Sequence, residues 1–391
     1  MVQNKLSMAR IYEEMDADGV NVLLALAPEN VFYLSDLPVS PVSSNRLLYV
    51  VRNTSPSFCV IPRSGEAKLV ITNAAIELAE KNSWVKDIQT YATGTYIVRH
   101  GENRKILAIE PAEALAKVVR GLEGHVKVGM DARVAPAGLV DGVKSAMKGV
   151  EIADSTTLFE KLRMIKSPEE VRRFKEANRI LCIAFKKVID EAGVGVSERE
   201  LEHLLKLTIM KEGGDSWQQT TVATGPVNGP DIYNQATAKQ IKTGDVIRLD
   251  VGCVYRGYTA DLSRTLVAGK PPARATKIYD TLREAEANLL DACRPGVKAS
   301  ELHSLTVRNV RTNLDKRYFR GNVGHGCGVE LYDRPFISEN DHTEMREGMT
   351  LSLEVPYHEF GLGGFNVEDS VVVSKRGKEL VSDIPRELIS V

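Results

Sequence analysis

The 391-residue sequence lacks a hydrophobic run long enough to span a bilayer, and its first residues lack the apolar segment of a secretory signal. Its longest apolar stretch, residues 20–27, is far shorter than the roughly 20 residues of a spanning helix. The sequence also lacks an excess of charge of either sign, because 51 Lys and Arg stand against 52 Asp and Glu. These absences predict a protein that binds neither a membrane nor a nucleic acid through its overall charge.

Cysteine is scarce and scattered. The five cysteines are Cys59, Cys182, Cys253, Cys293 and Cys327. No two of them form a CxxC pair, and an odd number of distant thiols disfavours both a disulfide framework and a zinc knuckle. Reduced thiols indicate a cytoplasmic protein, which is the location that we predict.

The length exceeds that of one ordinary hydrophobic core, so we expect two domains. The first 155 residues alternate short β-type runs with helical patterns, which predicts a mixed α/β domain. The predicted strands are 21–26, 46–51, 57–62, 68–71, 105–109 and 126–130, and the predicted helices are 74–81, 112–122 and 137–147. Residues 93–104 are rich in turn formers and predict an exposed loop.

A strong helix start follows this first region. Ser167, Pro168 and Glu170 form the pattern of a capping box with proline at the first helical position. A second capping box is predicted at Ser197 and Glu200. Two helices and a set of strands follow, and then the same order of elements occurs again. We therefore predict an N-terminal domain at 1–160 and a C-terminal domain at 161–391, with a site between the sheets of two ααββ halves.

Two aspartates lie on consecutive strands of a predicted hairpin, in the segments DVIRLDVG and YTADLSRT. If the turn is centred between Tyr255 and Arg256, Asp250 and Asp261 are directly opposite each other, about 4.5–5.5 Å apart at Cβ. Carboxylates at that spacing repel, and a divalent cation between them would remove the repulsion. Two exposed carboxylates on a tolerant hairpin would explain the same pattern.

Three further polar residues stand in unusual contexts. His325 lies among glycines in GHGCGVE, where close backbone approach can hold an imidazole in a crowded pocket. Glu354 lies in the alternating segment MTLSLEV, and Glu368 begins the apolar segment EDSVVV. Taken singly, the histidine is equally typical of a hydrogen-bonded structural residue, and each glutamate of the solvated face of its strand.

Taken together and in this order, the five residues resemble the ligand set of the pita-bread metallopeptidases. The matching segments are GDVIRLDVGCVYRGYTADLSRT (244–265), GHGCGVELYDRP (324–335) and GGFNVEDSVVV (363–373). That family includes aminopeptidase P, prolidase and methionine aminopeptidase, and the long N-terminal region fits its creatinase/prolidase-like branch. The resemblance implies an α/β (α+β) chain: a creatinase-like mixed α/β domain, followed by a pita-bread domain with pseudo-twofold ααββ halves.

The resemblance also implies a dinuclear metal centre. Asp261 and Glu368 would bridge two divalent ions, Asp250 would complete one site, and His325 with Glu354 the other. Oxygen-rich ligation with one imidazole suits Mn²⁺, with Co²⁺, Zn²⁺ or Fe²⁺ as alternatives. The implied reaction is Xaa-Pro peptidase-like hydrolysis of a small peptide, in which a metal-bridged hydroxide attacks an amide carbonyl and Glu354 moves the proton. A homodimer is implied as well, with residues 93–104 near a partner's site.

The substrate side of the site departs from the family pattern. Two histidines that such peptidases bring to the substrate are absent, and their positions fall near Tyr233 and at Tyr332. Asn366 replaces a frequent arginine. Tyrosine can donate a hydrogen bond to an oxyanion, so we predict Tyr332 as a catalytic and substrate-binding residue and Tyr233 as a substrate-binding residue. Arg334 is predicted to receive a substrate carboxylate, with a surface salt bridge as the alternative. His358 would replace a missing imidazole, unless it faces solvent from a loop.

Two other functions fit the same residues. The first keeps the fold and the metals but changes the reaction to hydrolysis or lyase chemistry on a small non-peptide metabolite, as in creatinase-, ectoine hydrolase- or dimethylsulfoniopropionate lyase-like enzymes. The second is a binding module without catalysis. Five intact ligands argue against the module, and metal content would separate it from both enzymes.

Overall fold

The structure is a computed structural model that describes residues 7–38, 55–92 and 106–391. The chain divides into two compact units, Met1–Arg163 and Met164–Val391. The predicted strand at 46–51 and the predicted loop at 93–104 lie outside the described residues. Within the described ranges, no helix combines the length and the hydrophobicity that a membrane crossing requires.

The first unit is built on a mixed six-stranded sheet. Its strands are β1 (Val22–Ala25), β2 (Phe58–Pro62), β3 (Lys68–Thr72), β4 (Asp87–Tyr91), β5 (Lys127–Met130) and β6 (Glu151–Asp154). Its helices are α1 (Met8–Asp18), α2 (Pro28–Ser35), α3 (Ile76–Asn82), α4 (Pro111–Arg120), α5 (Ala137–Ala146) and α6 (Thr156–Met164), with a 3₁₀ turn at Asn73–Ala75. The strand order is β4-β3-β2-β1-β5-β6, and β2 is antiparallel to both of its neighbours. Apolar side chains of the sheet pack against α4 and α5.

Most predicted elements of this unit are confirmed to within two residues. The prediction of a strand at 105–109 is wrong for residues 106–109, which are the ones that the structure describes. Ile106 makes only a single bridge, with Thr90, and Ile109 is 74% exposed. The apolar run is cut short there, since Pro111 begins α4. The pattern also missed β4 and β6, whose segments DIQTY and EIAD carry too few apolar residues to stand out.

A buried aspartate fixes the start of α2. The carboxylate of Asp131 accepts hydrogen bonds from the backbone N–H groups of Leu26 (2.8 Å) and Ala27 (3.0 Å) and from Nδ2 of Asn30 (2.7 Å). Ala27 precedes α2 and has no side chain that could cap it. The distant Asp131 therefore takes that role and places its negative charge at the positive end of the helix.

Replacing Asp131 by alanine is expected to destabilise the first unit by about 2–3 kcal/mol, because three buried N–H donors lose their acceptor. The measurement is chemical unfolding followed by Trp84 fluorescence in a Trp217→Phe background, which leaves one tryptophan, in the first unit. The matched control is Asp141→Ala on the exposed face of α5, for which we expect a change within about 0.5 kcal/mol. Equal effects of the two substitutions would contradict the capping role.

The second unit contains a nine-stranded sheet and a short hairpin. Its strands are β7 (Ser216–Thr224), β8 (Val246–Tyr255), β9 (Tyr258–Val267), β10 (Asn322–Gly326), β11 (Asp333–Ser338), β12 (Thr350–Glu354), β13 (Tyr357–Glu359), β14 (Gly363–Phe365), β15 (Glu368–Ser374), β16 (Gly377–Leu380) and β17 (Ile389–Ser390). Its helices are α7 (Pro168–Glu191), α8 (Glu198–Lys211), α9 (Gly225–Asn228), α10 (Ala273–Ala292) and α11 (Ala299–Asn313).

The large sheet joins two halves of similar order. The path of the sheet is β11-β10-β12-β15-β9-β8-β7, with β16 beside β15 and β17 beside β9. Helices α7 and α8 share one apolar core with β7, β8 and β9, and helices α10 and α11 share another with β10, β12 and β15. The two halves meet where β9 and β15 pair. We call this line between β9 and β15 the seam.

Both predicted capping boxes are confirmed. The backbone N–H of Ser167 donates to Oε2 of Glu170 at 2.8 Å, and the reciprocal bond to Oγ of Ser167 is also present. Ser197 and Glu200 form the same pair of bonds at the start of α8. These local signals fix where the first two helices of the unit begin.

The turn of the aspartate hairpin lies one residue later than predicted. Tyr255 pairs with Tyr258, and the two turn residues are Arg256 and Gly257, with φ of 46° and 74°. Two successive residues with positive φ form the type I′ turn, whose twist matches that of the adjoining strands. The turn geometry therefore sets the register of β8 and β9.

The predicted pairing of the two aspartates is consequently wrong by two residues. Asp250 is opposite Ser263, and Asp261 is opposite Gly252. Because side chains alternate between the faces of a strand, a shift of two residues keeps both carboxylates on one face. The aspartates are diagonal neighbours rather than a direct pair.

Candidate metal centre

Three of the predicted ligands meet at the seam. Asp261 lies on β9, His325 on β10, and Glu368 begins β15. One ligand atom from each side chain lies within 4.8 Å of the other two, and all three residues are buried. Two carboxylates and an imidazole at this spacing can surround one cation.

Glu354 lies directly opposite Glu368 in the β12–β15 ladder. Like charges in that position destabilise a sheet. The directly opposite pair of carboxylates that the sequence predicted for the two aspartates is thus found at these two glutamates. The two oxygens of the Glu354 carboxylate accept hydrogen bonds from Nη2 of Arg320 at 2.7 Å and from Nδ2 of Asn366 at 3.2 Å.

The fifth predicted ligand, Asp250, lies on the same face as Asp261. Its Oδ2 is 3.8 Å from Nη1 of Arg248, which is almost fully buried. The Arg248 guanidinium also donates to the carbonyl oxygens of Gly229 (3.3 Å) and Asp231 (2.8 Å). Arg248 therefore connects this carboxylate to the loop that follows α9.

The carboxylates are costly to ionise where they lie. Burial raises the pKa of Asp250 to about 6, although Arg248 opposes this effect. Burial, and then the charges of Asp250 and Glu354, raise the pKa of Asp261 well above its usual value. The pKa of Glu368 is raised in the same way, by burial and then by Asp261, Glu354 and Asp250. A divalent cation among these groups would favour their charged forms.

His325 is held in the form that binds metals. Its Nδ1 lies 3.1 Å from the carbonyl oxygen of Gly326, and its Nε2 lies 3.8 Å from Oδ2 of Asp261. We assign the ring hydrogen to Nδ1, because that nitrogen lies against the carbonyl oxygen of Gly326, and this leaves the lone pair of Nε2 facing Asp261. Burial lowers the pKa of His325, which favours the neutral imidazole.

These residues fit divalent cations. Oδ1 of Asp261 is buried and has no hydrogen-bond partner among the described residues. A buried carboxylate oxygen without a donor is unfavourable unless a cation binds it. Four carboxylates and one neutral imidazole are the donors that Mn²⁺, Co²⁺, Zn²⁺ and Fe²⁺ accept.

A buried arginine fixes the backbone behind the cluster. Arg264 is fully buried and donates to the carbonyl oxygens of Glu368 (2.6 Å) and Ser263 (2.9 Å) and to Oδ1 of Asp369 (2.6 Å). Oδ2 of Asp369 lies 2.9 Å from Nε of Arg386. The bonds from Arg264 on β9 to Glu368 and Asp369 on β15 cross the seam, so they hold the strand that carries Glu368 against the strand that carries Asp261.

The structure brings Tyr332 to the cluster. Its ring centroid is 4.4 Å from that of His325, and its hydroxyl donates to Oε1 of Gln219 at 2.7 Å. Gln219 has a φ of 32° and lies at a bulge of β7, a feature that often redirects a side chain beside a functional site. Burial, and then the four nearby ligand carboxylates, raise the pKa of Tyr332, so the hydroxyl stays protonated.

The other two predicted substrate residues have different surroundings. Tyr233 is 89% exposed, and in the part of the chain that the structure describes no side-chain bond joins it to a ligand residue. Nη1 of Arg334 lies 3.6 Å from Oδ2 of Asp341, and its guanidinium is 5.0 Å from the ring centroid of Phe336. The roles of Tyr233 and Arg334 in binding substrate stay predictions.

His358 does not face solvent from a loop, which was the alternative considered for it. It lies on β13, opposite Gly364 of β14, and is half-buried. Its Nδ1 is buried without a partner among the described residues. Burial, and then the charges of Arg248 and Arg320, lower the pKa of His358 to about 3.

The sequence patterns missed three residues that contact the centre. Arg248 lies two positions before Asp250 on β8, and side chains two positions apart share one face of a strand. The alternation of the strand could therefore have indicated that Arg248 lies beside Asp250. Gln219 depends on a bulge, and Arg320 lies on the loop before β10, where no periodic pattern applies. Loop residues of this kind are found only when the fold brings them to the site.

Buried carboxylates and a neutral imidazole, gathered on the seam of two similar halves, define a metalloenzyme. Residues 172–375 match the model of metallopeptidase family M24, and residues 8–165 match that of the creatinase/prolidase N-terminal domain. The chain belongs to metallopeptidase family M24. It is therefore a metal-dependent peptidase, and the pita-bread fold with a creatinase-like N-terminal domain is confirmed.

Individual relatives match over almost the whole chain. An Xaa-Pro dipeptidase of Pyrococcus horikoshii is 25% identical over 381 residues, which are 97% of each chain. The solved structure of an Xaa-Pro dipeptidase from Bacillus anthracis matches with a TM-score of 0.83 at 25% identity and covers 98% of both chains. An aminopeptidase P variant from Escherichia coli shares the fold, with a TM-score of 0.72 at 18% identity over 97% of this chain and 96% of that one.

Proposed function

We propose that this peptidase is a dinuclear Xaa-Pro dipeptidase. The observation that carries the proposal is the convergence of Asp261, His325 and Glu368 within 4.8 Å, with two further carboxylates beside them. Relatives named Xaa-Pro dipeptidases match the chain almost end to end, which supports the substrate class.

Five residues would hold the two ions. Asp261 and Glu368 would contribute to both sites, Asp250 to one, and His325 with Glu354 to the other. The oxygen-rich set favours Mn²⁺ over Co²⁺, Zn²⁺ and Fe²⁺. When bound, such ions polarise a carbonyl group and lower the pKa of a water molecule between them.

The proton would be moved by Glu354. Its side chain is 14% exposed, whereas Glu368 is only 2% exposed, so Glu354 is the more accessible glutamate of this cross-strand pair. Arg320 and Asn366 fix its two oxygens, which orients the carboxylate. In the proposed reaction, Glu354 accepts a proton from the attacking water and delivers it to the nitrogen of the leaving amine.

Tyr332 would stabilise the negative oxygen that forms as the amide carbonyl is attacked. Its hydroxyl hydrogen is directed at Gln219 in the structure. Rotation about the phenolic C–O bond turns that hydrogen toward a bound substrate, and the raised pKa keeps it available.

Replacing Tyr332 by phenylalanine is expected to lower kcat by about 10- to 100-fold while KM changes by less than about threefold, because one hydrogen bond to the developing charge is lost. The measurement is steady-state hydrolysis of an Xaa-Pro dipeptide by the Mn²⁺-loaded chain. Tyr12→Phe in the first unit is the matched control. A loss seen only in KM would contradict a role in stabilising the oxyanion.

The proposed function is tested with the purified chain and Mn²⁺ or Co²⁺. Alanyl-proline and related dipeptides should be cleaved, and peptides without proline at the second position should be cleaved far more slowly. If no Xaa-Pro dipeptide or tripeptide is cleaved in the presence of bound metal, the assignment as an Xaa-Pro dipeptidase is wrong.

One observation favours a second candidate. The aromatic side chain beside His325 is a tyrosine, and Asn366 contacts Glu354, so the substrate side differs from the pattern of the resembling peptidases. A small non-peptide amide would then be the substrate of the same metal centre. Parallel assays with small non-peptide amides decide between the two. A homodimer and a cytoplasmic location remain part of the proposal.

A further inference from the structure

Charged side chains gather behind the seam, on the face of the sheet opposite the ligands. Asp369 follows Glu368 on β15. Arg264 lies three positions after Asp261 on β9. Because successive side chains of a strand point to opposite faces, Asp369 and Arg264 lie on the face away from the cluster. Both are fully buried and form an ion pair across the seam, in which Nη2 of Arg264 donates to Oδ1 of Asp369 at 2.6 Å.

The two strands of the seam share a short ladder. In the described part of the chain, the pairing of β9 with β15 has one registered pair, Ser263 with Glu368. The carboxylates of Asp261 and Glu368 repel each other across it. Side-chain bonds across the seam therefore matter for its geometry, and the bond from Arg264 to the carbonyl oxygen of Glu368 (2.6 Å) is one of them.

The segment 382–391, which we call the strap, lies against this face of the seam and includes β17. β17 pairs in parallel with β9. The carbonyl oxygen of Pro385 accepts a hydrogen bond from Nε of Arg264 at 2.7 Å. Oγ of Ser382 donates to Oδ1 of Asp369. The strap thus contacts both of the strands that meet at the seam.

Arg386 is the charged contact of the strap. Its Nε lies 2.9 Å from Oδ2 of Asp369, and its Nη2 pairs with Oε2 of Glu286 on α10. Its side chain is 28% exposed, whereas the side chains of the two acids are fully buried. One guanidinium therefore connects the strap to β15 and to α10.

The charges behind the seam depend on Arg386 for their balance. Two arginines, Arg264 and Arg386, act on the two buried acids. Burial, and then the charge of Asp369, raise the pKa of Glu286 well above its usual range, and Arg386 opposes this effect. Without Arg386, two buried carboxylates would remain beside one arginine, which is strongly unfavourable. Asp369 would lose part of what fixes it, and the bonds of Arg264 to β15 would loosen.

We propose that Arg386 is a positioning residue of the metal centre. It anchors Asp369 behind the seam, and Asp369 in turn holds Arg264. Arg264 fixes the backbone of Glu368, so that this carboxylate stays within reach of the cation that Asp261 binds. The role rests on the proposed function, because it requires Asp261 and Glu368 to bind metal together. Bound metal should also hold the strap, since coupling between two sites is reciprocal.

The first test measures metal affinity. Isothermal titration of Mn²⁺ into the metal-free full chain should give about 10- to 100-fold weaker binding for Arg386→Gln than for the wild type. Arg386→Lys should recover part of the affinity, because it keeps the charge but loses the two-pronged contact. The matched control is Arg376→Gln in the exposed turn between β15 and β16, which should bind Mn²⁺ like the wild type. An Arg386→Gln protein that binds Mn²⁺ as tightly as this control would overturn the inference.

A double variant separates positioning from a loss of folding. Arg386→Gln leaves Glu286 buried without its partner, which by itself lowers stability. Adding Glu286→Gln removes that unpaired charge, so the double variant should regain stability but not Mn²⁺ affinity. Unfolding is followed by Trp217 fluorescence in a Trp84→Phe background. A double variant whose Mn²⁺ affinity returns to that of the wild type would show that Arg386 acts through folding alone.

Hydrogen exchange tests the reciprocal effect. The backbone N–H of Val391 donates to the carbonyl oxygen of Val267 at 2.9 Å, so its exchange reports detachment of the strap from β9. Adding Mn²⁺ to the metal-free wild type should slow exchange in the strap by about fivefold or more. Glu368→Gln should show a much smaller effect. Exchange in the strap that is the same with and without Mn²⁺ would contradict the coupling.

Cleavage assays distinguish failure of this inference from failure of the proposed function. If the wild type binds Mn²⁺ but cleaves no Xaa-Pro dipeptide, the dipeptidase assignment fails, and weaker Mn²⁺ binding by Arg386→Gln would still support the role of Arg386. If the wild type cleaves alanyl-proline and Arg386→Gln binds Mn²⁺ like the wild type, only that role fails. Where both hold, Arg386→Gln should need about 10- to 100-fold more Mn²⁺ for half-maximal cleavage.

Discussion

Replacing Glu368 by glutamine is expected to lower kcat/KM for a cleaved Xaa-Pro dipeptide by about a thousandfold or more. Glu368 lies close to Asp261 and His325. The glutamine that replaces it has a neutral amide and cannot supply the negative charge of the carboxylate. The amide oxygen can still accept the hydrogen bond that Oγ of Ser352 donates to Oε1 at 2.7 Å, so the fold should be retained.

Metal content and activity must fall together in this variant. Elemental analysis of the purified protein should show loss of at least one ion per chain. The control is Glu379→Gln on β16, where an exposed glutamate pairs with Lys175 at 2.7 Å and lies outside the ligand set. A Glu368→Gln protein that keeps both its metal and more than about a tenth of its activity would show that the cluster is not the catalytic centre.

Removing the metal is expected to lower the free energy of unfolding of the second unit by about 4 kcal/mol, for protein that was held at a thousand times the dissociation constant of the ion. The physical reason is the repulsion that remains when the cation leaves. Burial and mutual repulsion raise the pKa values of Asp250, Asp261 and Glu368, which shows that their charged forms are unfavourable in the fold without a cation.

The two tryptophans allow this effect to be located. Trp217 lies in the second unit and Trp84 in the first, so each can report alone when the other is replaced by phenylalanine. Addition of a chelator should shift the unfolding curve reported by Trp217. The Glu368→Gln protein should respond much less. Equal chelator effects in wild type and variant would mean that the stabilising ion binds elsewhere.

The elements that positioned the site were largely predictable from local sequence. The capping boxes at Ser167 and Ser197 mark helix starts through reciprocal side-chain and backbone bonds, which are local and leave a fixed spacing in the sequence. The resemblance supplied the rest of the fold and the order of the ligand residues. His325 and Glu368 do lie together, as the resemblance implied.

What the sequence did not reveal depends on contacts between distant segments. The turn at Arg256 and Gly257 needed backbone angles that the residue types alone leave open, and the register of Asp250 changed with it. Gln219 reaches Tyr332 through a bulge, and Arg320 reaches Glu354 from a loop. No periodicity marks such residues, because their importance arises from the partner that tertiary structure supplies.

The seam lies between two stretches of the chain that each supply part of the proposed ligand set. Asp250 and Asp261 come from the first half, and His325, Glu354 and Glu368 from the second. A chain broken and separated between residues 268 and 321 would leave neither fragment with a complete set of donors. A break in that interval would therefore leave no single fragment with all five predicted ligands, so we expect neither fragment alone to assemble the proposed dinuclear centre.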